Sequence, residues 1–186
     1  MNNKVNNVEI MNIASLIDSY RSLGYKSTAS AIAELVDNSI QAEAKKIRVM
    51  TFEVPELVEN NSFNKIQEIG IYDDGVGMDD EILLKCLVFG EGTRKNAETG
   101  LGKYGVGLPQ ASISQSKIVK VFTWQNGKCK STYLSVDEVK TKNQLTYVLE
   151  ECEIPHEYLK HVDGDYDRGS GTFILWTDCD EIDFAY

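Results

Sequence analysis

Residues 27–42, STASAIAELVDNSIQA, constrain this chain more than any other stretch. Wound at about 100° per residue, they place Ile32, Leu35, Val36 and Ile40 on one stripe and Glu34, Asp37, Asn38 and Gln41 on the opposite face. That pattern predicts an amphipathic helix, with Ser27 or Thr28 as its N-terminal cap and alanines that keep the surface around Glu34 open. Glu34 and Asn38 are one turn apart and point the same way. A carboxylate so placed can take a proton from water, while the neighbouring neutral amide oxygen can ligate a hard cation such as magnesium. Taken alone, the pair reads as a solvated polar face, because most surface helices carry such pairs.

Two glycine-broken stretches change that judgement. The first, Asp73-Asp74-Gly75-Val76-Gly77, follows a strand-like run, and its glycines let backbone approach a flat ligand. A carboxylate at the end of a buried strand can accept a hydrogen bond from an exocyclic amine such as that of adenine. An acidic turn is the plain alternative, and the EF-hand spacing fails. The second stretch, residues 100–107, GLGKYGVG, contains both GxGxxG and GxxGxG. No strand leads into it, so a Rossmann loop is disfavoured, and the P-loop pattern GxxxxGK[ST] is absent. The later spacing opens a predicted helix over 105–114, whose free N–H groups could hold a polyphosphate.

Along the rest of the chain, helical spacing covers 8–23 through Ile10, Ile13, Leu16, Ile17 and Tyr20, with Gly24 placed to end it. This helix is expected to lie beside the Glu34 helix. Strands are predicted over 46–54, 65–72, 118–124, 130–136, 144–149 and 172–177, with Pro55 opening a hairpin connection and Gly127 supplying another turn. A short helix is expected over 81–89 and a polar helix or loop over 155–161. Residues 90–104 carry four glycines and no apolar period, the mark of a functional loop. The order predicts an α+β fold, a mixed sheet with helices on one face.

Composition narrows the partners. With 186 residues and 42% hydrophobic content the chain can bury a core, and is expected to be a single domain or one cut from a longer protein. A formal charge of -10 argues against a strong nucleic-acid surface here, since non-specific affinity comes from clustered Lys and Arg. No stretch approaches the roughly 18 apolar residues of a membrane span, and the N-terminus lacks an apolar leader segment. A cytoplasmic protein, with no membrane partner, is the expectation. Cys86, Cys129, Cys152 and Cys179 form no CxxC pair and read as reduced, packed thiols.

Together and in order, the three stretches resemble the GHKL ATPases, the superfamily of gyrase-type topoisomerases, Bergerat-fold chaperones, histidine kinases and MutL. ELVDNSIQA is similar to the N box, DDGVGM to the DxGxG box, GKYGVG to the GxxGxG box, and Gly171-Thr172 before a strand to the late GT. Within the superfamily, FGEGTRK and GKYGVGLPQAS are most similar to MORC-type ATPases and their bacterial relatives. The resemblance implies a two-layer α/β sandwich of the Bergerat type, with a mostly antiparallel sheet and residues 90–104 as an ATP lid behind an N-terminal arm over 1–24. It implies Glu34 as the base for the attacking water and Asn38 as the magnesium ligand. Asp73 would read adenine with Thr172 as its neighbour. Ala42, Gly75, Gly77 and Met78 would contact the nucleotide, with Gly102, Lys103, Tyr104, Gly105, Val106 and Gly107 around the phosphates. ATP and magnesium are the implied cofactors. A nucleotide-dependent homodimer and further domains of the same protein are the implied partners, because a second domain supplies a phosphate-binding lysine in some branches. Slow ATP hydrolysis driving a larger machine is therefore expected, against the alternative of an ATP-gated interaction module with negligible turnover.

Overall fold

A computed structural model of the chain describes residues 12–58, 61–90, 106–142, 150–162 and 169–183. The elements within them are α1 (Ile13–Leu23), α2 (Thr28–Gln41), β1 (Ile47–Val58), β2 (Asn61–Asp73), α3 (Asp80–Lys85), α4 (Gly107–Ile113), β3 (Ser116–Gln125), β4 (Lys128–Ser135), α5 (Val136–Lys142), β5 (Glu150–Glu151), α6 (His156–Leu159) and β6 (Ser170–Cys179). The strands form one six-stranded sheet in the order β1-β2-β6-β3-β4-β5, and each described pairing is antiparallel. The α+β fold expected from the sequence is therefore present. Most of the predicted lid, the arm before Asn12 and the predicted strand over 144–149 lie outside the described residues.

The sheet carries apolar side chains on both faces because its central strands alternate large residues. Ile69, Ile71, Val119, Val121, Ile174 and Trp176 pack with Ile17, Ala31 and Leu35 of the helices. Tyr72, Phe122, Trp124, Phe173 and Leu175 point to the other face, where Ile154, Tyr158 and Val162 cover them. The short segment around α6 is thus a second, smaller cover. Its Tyr158 hydroxyl donates to Glu68 Oε2 at 2.7 Å.

Several local expectations are corrected. Residues 55–58 and 61–64, expected as a connection, continue the β1–β2 pairing, with Pro55 paired to Asn64. A proline is tolerated there because β1 is the sheet's edge strand. Helix α1 packs against α5 and α4, and α4 also touches α2, so the Glu34 helix is not α1's main neighbour. Arg21 explains this arrangement. Its guanidinium donates to Ile113 O at 2.8 Å and Ser116 O at 2.9 Å, and pairs with Asp180 at 2.7 Å.

The buried face of α2 is also rotated from the expected stripe. Thr28, Ala31, Leu35 and Ser39 are buried, whereas Ile40 is 60% exposed. Small and polar residues are favoured on that face because α4 and the end of β2 approach it closely, and each polar group there is bonded. Thr28 Oγ1 donates to Gln115 Oε1 at 2.7 Å, and the Ser39 hydroxyl lies within reach of Leu35 O and Asp73. Turned this way, α2 puts Glu34 and Asn38 on its flank rather than on its outer side.

Candidate functional site

Helix α2 begins with a capping box between Ser27 and Ser30. It ends with Ala44 N donating to Ser39 O and Glu43 N to Ile40 O, a Schellman closure that puts Glu43 at φ 62°. The closure leaves Ala42 O free to accept from Val76 N at 2.9 Å, which draws the loop after β2 against the end of α2. The same loop is held from the sheet: Gln125 Nε2 donates to Val76 O, and the Ser170 hydroxyl to Gly75 O.

The two aspartates of this loop separate in role. Asp74 Oδ1 accepts from the N–H groups of Lys45 and Lys46 at 2.8 and 2.7 Å, closing the turn after α2. Asp73 is buried at the end of β2, where its Oδ1 accepts from Gly75 N at 2.9 Å and its Oδ2 from the Ser39 hydroxyl at 3.0 Å. Burial pushes the Asp73 carboxyl above the usual carboxylate range; the two hydrogen bonds hold it back in part, and the Asp74 charge adds to the rise. Thr172 is the cross-strand partner of Asp73, so the two side chains share a face.

Glycine is required at two points of this wall. Gly77 has φ +69°, and a Cβ there would lie 2.7 Å from Trp124 O. At Gly171 a Cβ would press into the Trp124 ring and lie 2.5 Å from Asp73 O. Thr123 Oγ1, which accepts from Met78 N at 2.8 Å and donates to Gly171 O at 2.9 Å, locks the two glycine segments together.

These elements enclose a cleft of about 220 Å³. Glu34, Asn38, Ala42, Asp73, Gly77, Met78, Gly107 and Thr172, all named from the sequence, line it together. Gly75 stands behind it, where a Cβ would meet Ala42 O at 2.7 Å, and Val106 is the N-cap of α4. Gly102, Lys103, Tyr104 and Gly105 lie outside the described residues. The opening of α4 meets Glu34 directly, since a Cβ on Gly107 would fall onto its carboxylate. Its lining combines apolar side chains, among them Val76, Met78, Ile82 and Ile174, with the polar groups of Glu34, Asn38, Asp73 and Thr172. Such a mixed lining suits a small ligand that carries both an apolar ring and polar groups.

Sequence reasoning missed Ser39, Ile82 and Thr123. Ser39 carried a usable signal, being the polar residue four after Leu35 on the buried side. For Thr123, inside an apolar strand, the sequence held no signal.

An α+β domain with a cleft between a helix flank and the ends of central strands is the class that fold and site define. Residues 25–171 match the family described as histidine kinase-, DNA gyrase B-, and HSP90-like ATPase. The chain belongs to this ATPase family, for which ATP binding and hydrolysis hold at the family level. Among similar proteins are Protein MICRORCHIDIA 3 of Arabidopsis thaliana, 32% identical over 104 residues, and ATPase MORC2B of Mus musculus, 30% identical over 106 residues. Each match spans 56% of this chain, but only 17% and 10% of those relatives. In fold, the chain is similar to the N-terminal domain of a DNA repair protein, with a TM-score of 0.57, 16% identity, and coverage of 88% of this chain and 39% of that one. No helix among the described residues is long and apolar enough to cross a membrane.

Proposed function

We propose that this domain binds ATP with magnesium in the Glu34–Asp73 cleft and hydrolyses it slowly. The observation that carries this reading is the convergence of Glu34, Asn38, Asp73, Gly77, Gly107 and Thr172, from four separated segments, on one cleft. Adenine stacks among Val76, Met78 and Ile82, and its exocyclic amine donates to the Asp73 carboxylate. Guanine presents an oxygen at that position, which the same carboxylate repels.

The triphosphate then extends toward Asn38 and Gly107. Asn38 supplies one neutral oxygen, which fits magnesium, a cation that keeps waters and takes the rest of its shell from phosphates. Bound there, the metal would neutralise charge developing on the phosphates. Glu34 accepts the proton of the attacking water. Residues 90–104 close over the phosphates, Lys103 or a lysine from a further domain supplies a cation, and the closed state pairs with a second copy. This part of the reading is supported by the family membership and by the small share of its larger relatives that the chain spans.

Calorimetric titration with ATP and with GTP, each with magnesium or with chelator, tests the assignment. ATP should bind at least about 10-fold more tightly with magnesium than without, and GTP should bind weakly, several kcal/mol behind. Equal affinity for ATP and GTP would refute the placement of adenine at Asp73.

A further inference from the structure

Two of the chain's four cysteines meet on the sheet face that α6 covers. Strands β4 and β5 pair with Ser131 opposite Glu150 and Lys130 opposite Glu151. Cys129 and Cys152 stand opposite one step further on, where Cys152 N donates to Cys129 O at 3.1 Å. Directly opposite residues of an antiparallel pair turn their side chains to one face, with Cα atoms about 4.5–5.5 Å apart. The two sulfurs accordingly lie 3.7 Å apart, both as thiols. A disulfide spans Cα separations of roughly 4.4–6.8 Å, so a bond between these sulfurs requires side-chain rotation and no movement of the strands.

The two thiols differ in access. Cys129 is 4% exposed and packs in the cluster of Trp124, its cross-strand partner, whereas Cys152 is half-buried at the margin of that cluster. A reagent from solvent therefore meets Cys152 first, and the buried sulfur stands ready beside it. At Cys86 and Cys179, by contrast, burial pushes the thiol up to about 12, which keeps both protonated and slow to react. Cys152 also precedes the residues that cover this face, since Ile154, Tyr158 and Val162 follow it into the cluster.

We propose that Cys152 and Cys129 form a reversible oxidation site, at which a hydroperoxide converts the two thiols to a disulfide that staples the cover segment 150–162 to β4. The Cys152 thiolate attacks one oxygen of hydrogen peroxide, the O–O bond breaks, hydroxide leaves with its electron pair, and Cys152 becomes a sulfenic acid. The Cys129 thiolate then attacks Cys152 Sγ, the S–O bond breaks, and a second hydroxide leaves. Each hydroxide takes up one of the protons that the thiols gave. Two electrons pass from the sulfurs, and one hydrogen peroxide becomes two waters. A dithiol reductant reverses the bond by exchange.

The test treats the folded 186-residue chain, first reduced, with a small excess of hydrogen peroxide, then blocks remaining thiols with N-ethylmaleimide in denaturant and maps the peptides by mass. The expected product is one intramolecular Cys129–Cys152 link, with Cys86 and Cys179 carrying the label. Closing the stretch 129–152 into a loop should raise the melting temperature by roughly 5–10 °C, and dithiothreitol should return it. Cys152→Ala, changed at the half-buried position, should show neither the link nor the peroxide-induced rise, measured against its own reduced melt. Peroxide that leaves Cys129 fully labelled, or that drives Cys152 to sulfinic acid without a link, overturns the site. So does a link that forms only after unfolding. A link without a rise in melting temperature overturns the staple.

Discussion

Alanine at position 107 should separate folding from turnover. Gly107 has a negative φ, so alanine meets no backbone strain there, and as the first residue of α4 it should gain part of the roughly 1 kcal/mol by which alanine exceeds glycine in helices. The added methyl, however, would coincide with the Glu34 carboxylate. The carboxylate is the far end of a flexible side chain and must give way by roughly 1 Å or more to restore van der Waals separation. A displacement of that size at a reacting group costs about 10²-fold in rate, or about 2.7 kcal/mol of barrier. The expected result for Gly107→Ala is a kcat about 10²-fold lower, a nucleotide Kd within about 3-fold of the original, and a melting temperature unchanged or raised. A malachite-green phosphate assay beside a thermal melt reads both. Undiminished turnover, or a loss of turnover matched by a loss of stability, would refute the reasoning.

Two further substitutions test the frame of the cleft. Asp73→Asn keeps an oxygen for Gly75 N and offers an amide to Ser39, whose hydroxyl can still donate to Leu35 O, so the fold should tolerate it. Because the folded-state carboxyl is raised above its ordinary 3.8, the native chain loses stability as pH rises from there through the folded value. The melting temperature of Asp73→Asn should therefore gain on the original over that window and be no lower at neutral pH, while ATP binding weakens by about 10-fold or more. Removing the Arg21 guanidinium, with its side chain only 13% exposed, takes its donors from two carbonyls and leaves Asp180 with Lys117 at 3.9 Å. Arg21→Ala should cost about 3 kcal/mol and lower the melting temperature by roughly 6–12 °C in calorimetry; a shift under about 2 °C would show that α4 is held by other contacts.

The parts of this protein legible in the sequence are those where local chemistry and tertiary demand agree. Asn126 and Gly127, both at positive φ, form the β3–β4 turn that the glycine announces. Asp73 and Gly77 were visible because a carboxylate and glycines interrupt an apolar strand. The rotation of α2 was hidden, since an apolar count favours Ile40 over Ser39 and cannot see that Asp73 waits beneath the smaller residue. Helix α5 escaped for the same kind of reason: Val136 and Val139 are too few to set a helical period, and the helix rests on packing and on the ion pair of Lys140 with Asp18. Pro55 suggested a break where the sheet edge could absorb it.

The central claim is that Glu34 acts on water and not on nucleotide. Glu34→Ala compared with the original chain, by titration calorimetry with magnesium and ATP and by phosphate release on the same samples, tests it most directly. General-base assistance is worth about 10²- to 10⁴-fold, and a carboxylate beside anionic phosphates contributes little to ground-state binding. The account predicts that hydrolysis falls by that factor while ATP binds as tightly or more tightly. Loss of binding together with hydrolysis, or hydrolysis that survives the substitution, would contradict it.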